Sequence, residues 1–254
     1  MSRRNRRSRR ISWGGRKERR KRAIMKAVCG TVVVAAVLFC LGILVQKGYQ
    51  KIETKFKIRV ASGKEQLEKD SVVIAVGETP VTYQELMVYL YQVKTMYSDN
   101  MGDEIWDVKT DEGDTLENYA QDQVLEQILQ VKICCEEAKS EHVVLETEEK
   151  EEARQLAENL LSQASEEDKS TYLLTKKMTQ KVFEDNLLAD KLYDKTVGNV
   201  NTVINEGEDA DQAAQEIGKQ QDKTFRKAYA GWEKKYKVSV SKNLWKQVKI
   251  GGAS

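Results

Sequence analysis

The longest uninterrupted apolar stretch of the chain runs from Ala27 to Val45, nineteen residues without a charged or strongly polar side chain. At about 1.5 Å of rise per residue, such a run matches a hydrocarbon core of roughly 30 Å. The pattern predicts one transmembrane helix within residues 23–46. A buried helix of a soluble core is the rival reading, but such helices seldom stay apolar on every face for this length. Residues 47–70 mix Lys, Glu and Gln with scattered apolar positions and read as a stalk. Val72-Val73-Ile74-Ala75-Val76 is a β-branched run ended by Gly77, with the chain's only proline, Pro80, in the turn that follows. This spells a strand and a tight turn.

From there the period changes to that of a helix. Thr82-Tyr83-Gln84-Glu85 has the spacing of a capping box, and Tyr83, Leu86, Met87, Leu90, Val93 and Tyr97 form the apolar stripe behind it. Residues 98–114 read as a loop that pins Trp106 against the domain. A second helix starts at Thr115, with Val124, Ile128, Val131, Cys135 and Ala138 on one face and Leu125 and Leu129 widening it. A third runs from about Thr147 to Gln163, with acids at the positive end of its dipole. A fourth is expected from about Lys169 to Thr196, carrying Leu174, Met178, Val182, Ala189 and Tyr193 and stopped by Gly198. Residues 198–224 read as an acidic connector with at most a short helix around Asp211 to Lys219. An aromatic helix with Phe225, Tyr229, Trp232 and Tyr236 follows, then the alternating Val238 and Val240. A terminal strand there, paired with Val72 to Val76, would close the domain.

Charge gives the chain a direction. Residues 1–45 hold thirteen Lys or Arg and one acid, Glu18, while the remainder holds twenty-nine basic and thirty-nine acidic side chains. The Arg-rich tail of residues 1–22 is retained in the cytoplasm and attracted to anionic lipid, which sends the C-terminal part outward. Nucleic-acid binding is the rival explanation of that tail, and tethering at a bilayer already accounts for its charge. The apolar run ends without a small-residue cleavage pattern, and Phe39 before Cys40 does not suit a lipoprotein site, so the segment reads as an uncleaved anchor. Cys134 and Cys135 are neighbours within a helical pattern and point to different faces, so a disulfide framework is not expected.

Little in the sequence speaks for bond-making chemistry. His142 is the single histidine and lies in Ser140-Glu141-His142-Val143 at a helix end without partners; zinc sites and Ser-His or Cys-His systems need more. No phosphate-cradling glycine motif or nucleophile elbow occurs. Acidic pairs such as Glu148 and Glu149 or Glu151 and Glu152 read as a solvated helix face. No catalytic, metal or cofactor residues are assigned. Tyr89, Tyr91, Trp106 and Trp232 lie off the main stripes and are the candidates for binding extended or unfolded polypeptide, with service in the domain's own core as the competing role.

Val73-Ile74-Ala75-Val76-Gly77-Glu78-Thr79-Pro80-Val81-Thr82 resembles the strand-to-helix opening of the SurA and PrsA extracytoplasmic foldases. Leu125-Glu126-Gln127-Ile128-Leu129, Glu136-Glu137-Ala138 and Val143-Val144-Leu145-Glu146-Thr147-Glu148-Glu149 are similar to the later motifs of that family's N-terminal domain. Trp232 to Val240, with Leu244-Trp245 behind, resembles the strand returning after its isomerase module. Family members insert a parvulin prolyl-isomerase domain where this chain has only the connector 198–224, so the resemblance implies the chaperone half alone.

The expectation is a mainly α protein: a single transmembrane helix plus a SurA-N-like helical domain, residues 71–250, closed by a short N-/C-terminal β-strand pair. In function it is a single-pass membrane protein, N-terminus cytoplasmic and C-terminal domain extracytoplasmic, that binds unfolded or exported polypeptides. A scaffold of a membrane or cell-wall-associated complex and a peptidyl-prolyl isomerase are the alternatives. Neither nucleic acid nor a cofactor is expected as a partner.

Overall fold

The computed structural model describes residues 67–109, 113–200 and 210–250. The basic tail, the expected transmembrane segment and nearly all of the stalk lie outside these. Among the described residues no helix is long and apolar enough to cross a membrane.

The chain opens with β1 (Val72–Val76) and β2 (Thr79–Thr82), an antiparallel hairpin with Val76 opposite Thr79 and Ile74 opposite Val81. Its two-residue loop begins with Gly77 at φ 59°, a left-handed conformation that glycine adopts without a Cβ penalty. Sequence reading places Thr79-Pro80-Val81 in the turn, whereas the structure makes them a strand. Pro80 fits because β2 is an edge of the sheet, whose order is β2-β1-β3.

Helix α1 (Tyr83–Met101) follows directly, and the Thr82 hydroxyl accepts from the Glu85 amide at 3.3 Å. The expected capping box is only half realised, because the Glu85 carboxylate turns to two lysines instead. A 3-10 turn at Asp103–Asp107 carries Trp106 back to the core beside Tyr97. Thr115 caps α2 (Leu116–Ser140), the central helix, and accepts from the Asn118 amide. Helix α2 ends with His142 at φ 58°, where the His142 amide bonds to the Lys139 carbonyl and the Val143 amide to that of Ala138. These two bonds satisfy carbonyls that a helix end leaves open, which makes His142 an exposed terminating residue.

Helix α3 (Thr147–Gln163) spans the range read from sequence and is closed at its start by a reciprocal Glu146 and Glu149 box. The expected fourth helix is two. Helix α4 (Glu166–Thr171) stops at Leu173, which has φ 51°, and Thr175 starts α5 (Lys176–Val197) by accepting from the Met178 amide. The break buries Tyr172 and Leu174 together, which a continuous helix would turn to different sides. The connector is also corrected in part: α6 (Ala210–Lys235) is one continuous helix that absorbs both the short helix and the aromatic one. Ala, Gln, Glu and Lys between residues 210 and 223 are strong helix formers and need few apolar partners to extend it.

Strand β3 (Val238–Val240) pairs antiparallel with β1, Val76 opposite Val238 and Ile74 opposite Val240, so the terminal pairing is as expected, within three strands instead of two. Helix α7 (Lys242–Trp245) leads to Val248 and Ile250, both buried. The Gln121 side chain donates to the Val248 carbonyl, the Ile250 amide to Glu117, and the Tyr172 hydroxyl to the Ile250 carbonyl, which ties this end to α2 and to the α4–α5 break. The result is a mainly helical domain on a small three-stranded sheet. One core joins the sheet, α1, α2 and the α4–α5 region; a second, smaller one lies where α6 covers α2 and α5.

Candidate functional site

The most unusual chemistry of the domain sits in its interior. Glu85 in the first turn of α1, Lys132 in the middle of α2, and Lys181 and Asp185 one turn apart on α5 meet at the junction of the three helices. Lys132 is 1% exposed and Glu85 2%. The Lys132 ammonium pairs with the Glu85 carboxylate and, at 2.5 Å, with Asp185 Oδ2. Lys181 Nζ, nearer the surface, lies 2.8 Å from Asp185 Oδ2 and 3.1 Å from both Glu85 oxygens. Two cations and two anions alternate, so the cluster is neutral as a whole.

Its neighbours are tuned toward inertness. Burial pulls Lys132 down, but Tyr89, Asp185 and Glu85 more than offset this and hold it above the ordinary lysine range. Asp185 goes the other way: burial would raise it, and Lys132 and Lys181 keep it below the usual carboxylate range. Burial, helped by the Asp185 charge, pushes the Cys135 thiol up to about 12, and its Sγ donates to the Asp185 carbonyl at 3.3 Å. The Tyr89 hydroxyl is fully buried without a hydrogen-bond partner among the described residues and is raised well above its usual value by burial. An ammonium held charged and a thiol held protonated are not poised as nucleophiles. What the cluster does is fix three helices in one register, since each charge is satisfied only when the other helices are in place.

The four aromatic candidates do not converge on one surface. Tyr89 borders the ion cluster, Tyr91 packs 5.3 Å from Tyr172, and Trp106 packs 5.8 Å from Tyr97; these three are core residues. Trp232 is half-buried under α6, where Tyr193, Phe225, Tyr229 and Trp232 form an aromatic seam with centroids 4.9 to 6.4 Å apart. The lower end of the seam is pinned by Glu137, which accepts from Lys235 and from the Tyr236 hydroxyl, both at 2.7 Å. Large apolar side chains exposed elsewhere are Val72, Val108 and Val144, well apart in the chain. Among the described residues no group of His, Cys, Asp or Glu is arranged to hold a metal, and neither Cys134 nor Cys135 forms a disulfide.

Glu85, Lys132, Lys181 and Asp185 are the residues that sequence reading missed. Lys132 continues the stripe Val124, Ile128 toward Cys135, and Asp185 lies between Val182 and Ala189 at helical spacing. A charge on an apolar stripe was the available signal, and two of opposite sign on different helices suggest a buried pair. Compared with protein-family models, with curated proteins and with solved structures, the chain gives no match.

Proposed function

We propose that the protein is a membrane-anchored, extracytoplasmic, chaperone-like binding protein without isomerase activity, related in plan to the SurA and PrsA foldases. The observation that carries this reading is the connection between α5 and α6. Helix α5 ends at Val197 and α6 begins at Ala210, after which the chain returns to the sheet as β3. In the foldases, the catalytic module enters at this point, whereas residues 198–209 leave no room for one. The strand-first, strand-last closure around a helical body supports the same reading. In it, the aromatic seam under α6, with Tyr193, Tyr229 and Trp232 half-buried, is the apolar surface a client segment engages. The test is suppression of aggregation of an unfolded client by purified protein, together with an assay of X-Pro isomerisation. Suppression without isomerisation is expected; isomerisation at a catalytic rate overturns the reading.

A second reading, a scaffold for one specific membrane or wall-associated complex, is favoured by a different observation: three of the four candidate aromatics are buried and, among the described residues, few large apolar side chains are exposed. A general client binder needs more accessible apolar area than this. Pull-down separates the two, with a single stoichiometric partner favouring the scaffold and a broad set of unfolded clients favouring the chaperone.

A further inference from the structure

The described domain carries separate acidic and basic segments. From Glu141 to Thr171, covering α3 and α4, ten acids stand against three bases; from Lys219 to Ile250, ten Lys or Arg stand against two acids. Helices α3 and α6 both pack on α5, so the acidic and basic segments are held on one rigid frame.

The basic side has a defined face. At 3.6 residues per turn, Lys223, Arg226, Lys227 and Lys234 fall within one arc of about 100° on α6, and Phe225, Tyr229 and Trp232 point the opposite way. The burial follows this division, with all four cations exposed, Phe225 buried, and Tyr229 and Trp232 half-buried. Ala230 lies between the cations and is exposed, and the exposed Glu233 borders the arc beside Arg226. The four cations span about 17 Å along the helix. Lys223, Lys227 and Lys234 make no ion pair among the described residues, whereas the neighbouring Lys235, off this face, is committed to Glu137. Exposed lysines without ion-pair partners along one helix face suit a surface of phosphate groups, whose attraction for each of them falls off within a Debye length.

We propose that this face of α6 docks on anionic phospholipid, in the bilayer from which the chain emerges. The proposal rests on the membrane-anchored reading above. On that reading only residues 47–70 separate the anchor from the domain, so the bilayer is the polyanion at the highest effective concentration around it.

The experiment uses the full chain in nanodiscs of phosphatidylcholine alone or mixed with phosphatidylglycerol, with lysine reactivity toward a water-soluble acylating reagent read by mass spectrometry. Lys223, Lys227 and Lys234 are expected to be protected about threefold or more in the anionic discs, to regain reactivity at about 1 M salt, and Lys150 and Lys176 to stay unchanged. In the triple variant Lys223→Glu, Lys227→Glu, Lys234→Glu, the remaining Lys237 and Lys242 should be equally reactive in both lipids. Should that variant misfold, the lipid and salt comparison on the natural chain still decides. Equal reactivity in both discs overturns docking while leaving the anchor intact. Protection that appears in phosphatidylcholine only when two copies share a disc assigns the face to the acidic side of a second copy and overturns it as well. Failure of the chain to stay with discs of either composition sinks the anchored reading and the docking with it.

Discussion

Lys132, at the middle of α2, holds Asp185 of α5 at 2.5 Å with only 1% of the lysine exposed. Both carriers sit on apolar stripes, so the pair replaces hydrophobic contact at the point where three helices cross. An ion pair in such a place is costly to break from one side, because the survivor is left buried and charged.

Lys132→Met should therefore destabilise the domain by about 3–5 kcal/mol, leaving Glu85 and Asp185 facing each other with only Lys181 between them. Combining Lys132→Met with Asp185→Leu should recover part of that loss. Urea unfolding of the two single variants and the double variant measures the coupling. Additive losses would show that the two residues do not act together.

Two aspartates on α5 give opposite pH responses. Burial and the nearby Asp194 charge raise Asp190 from 3.8 to about 6. Between these values, the unfolded chain has released its proton while the folded chain retains it, so stability should fall as pH rises through about 4 to 6. Asp185 is depressed, so its contribution is present above the unfolded value of 3.8 and is lost on acidification below it. The expected profile is a maximum between about pH 4 and 5. Asp190→Asn should flatten the limb on the neutral side and raise stability at pH 7 by about 1–3 kcal/mol. Thermal unfolding across pH 3 to 8 checks both limbs.

His142→Gly should stabilise by about 0.5–1 kcal/mol, since φ 58° suits glycine and the imidazole ends a helix in solvent. A rise in Tm with client or partner binding unchanged is the expected result. Loss of binding would give the histidine a role beyond helix termination.

Gly77→Ala should cost about 1–2 kcal/mol. Its φ of 59° is strained for any L side chain, and the new Cβ would lie 3.3 Å from Glu136 Oε2. That carboxylate already accepts from Thr79 at 2.5 Å and Lys139 at 2.6 Å, which fastens the hairpin loop to α2. Chemical denaturation of the variant reads the effect directly.

Trp232→Ala should loosen α6 before the rest of the domain. Its ring touches Phe225 and Tyr229 in the smaller core and also packs against the edge of the larger one, and removing a half-buried indole should cost about 2 kcal/mol. Faster amide exchange confined to α6 and the adjoining part of α5 is expected, with the sheet and α1 unaffected. Uniform acceleration would mean the two cores unfold as one.

Local pattern carried a large part of this fold. The run Val72 to Val76, the stripe behind Thr82, the limits of α3 and the alternation of Val238 and Val240 are all written in local pattern and caps, because each depends on residues no more than a few positions apart. Reading broke down where a longer-range contact overrode the local signal. Leu173 takes a left-handed conformation because Tyr172 is drawn to Tyr91 and the Ile250 carbonyl, and nothing within four residues announces that. The connector gained a helix because the aromatic seam anchors its C-terminal half and strong helix formers extend it backward.

The candidate site divides in the same way. Sequence alone determined the helical class, the strand that closes the domain, the separation of an acidic from a basic segment, and the absence of histidine partners for His142. Only the tertiary structure decided that Tyr89, Tyr91 and Trp106 face inward and that Glu85, Lys132, Lys181 and Asp185 meet. Periodicity states which side of its own helix a residue occupies, but whether that side meets a partner, and with which charge, depends on how helices far apart in the chain are packed.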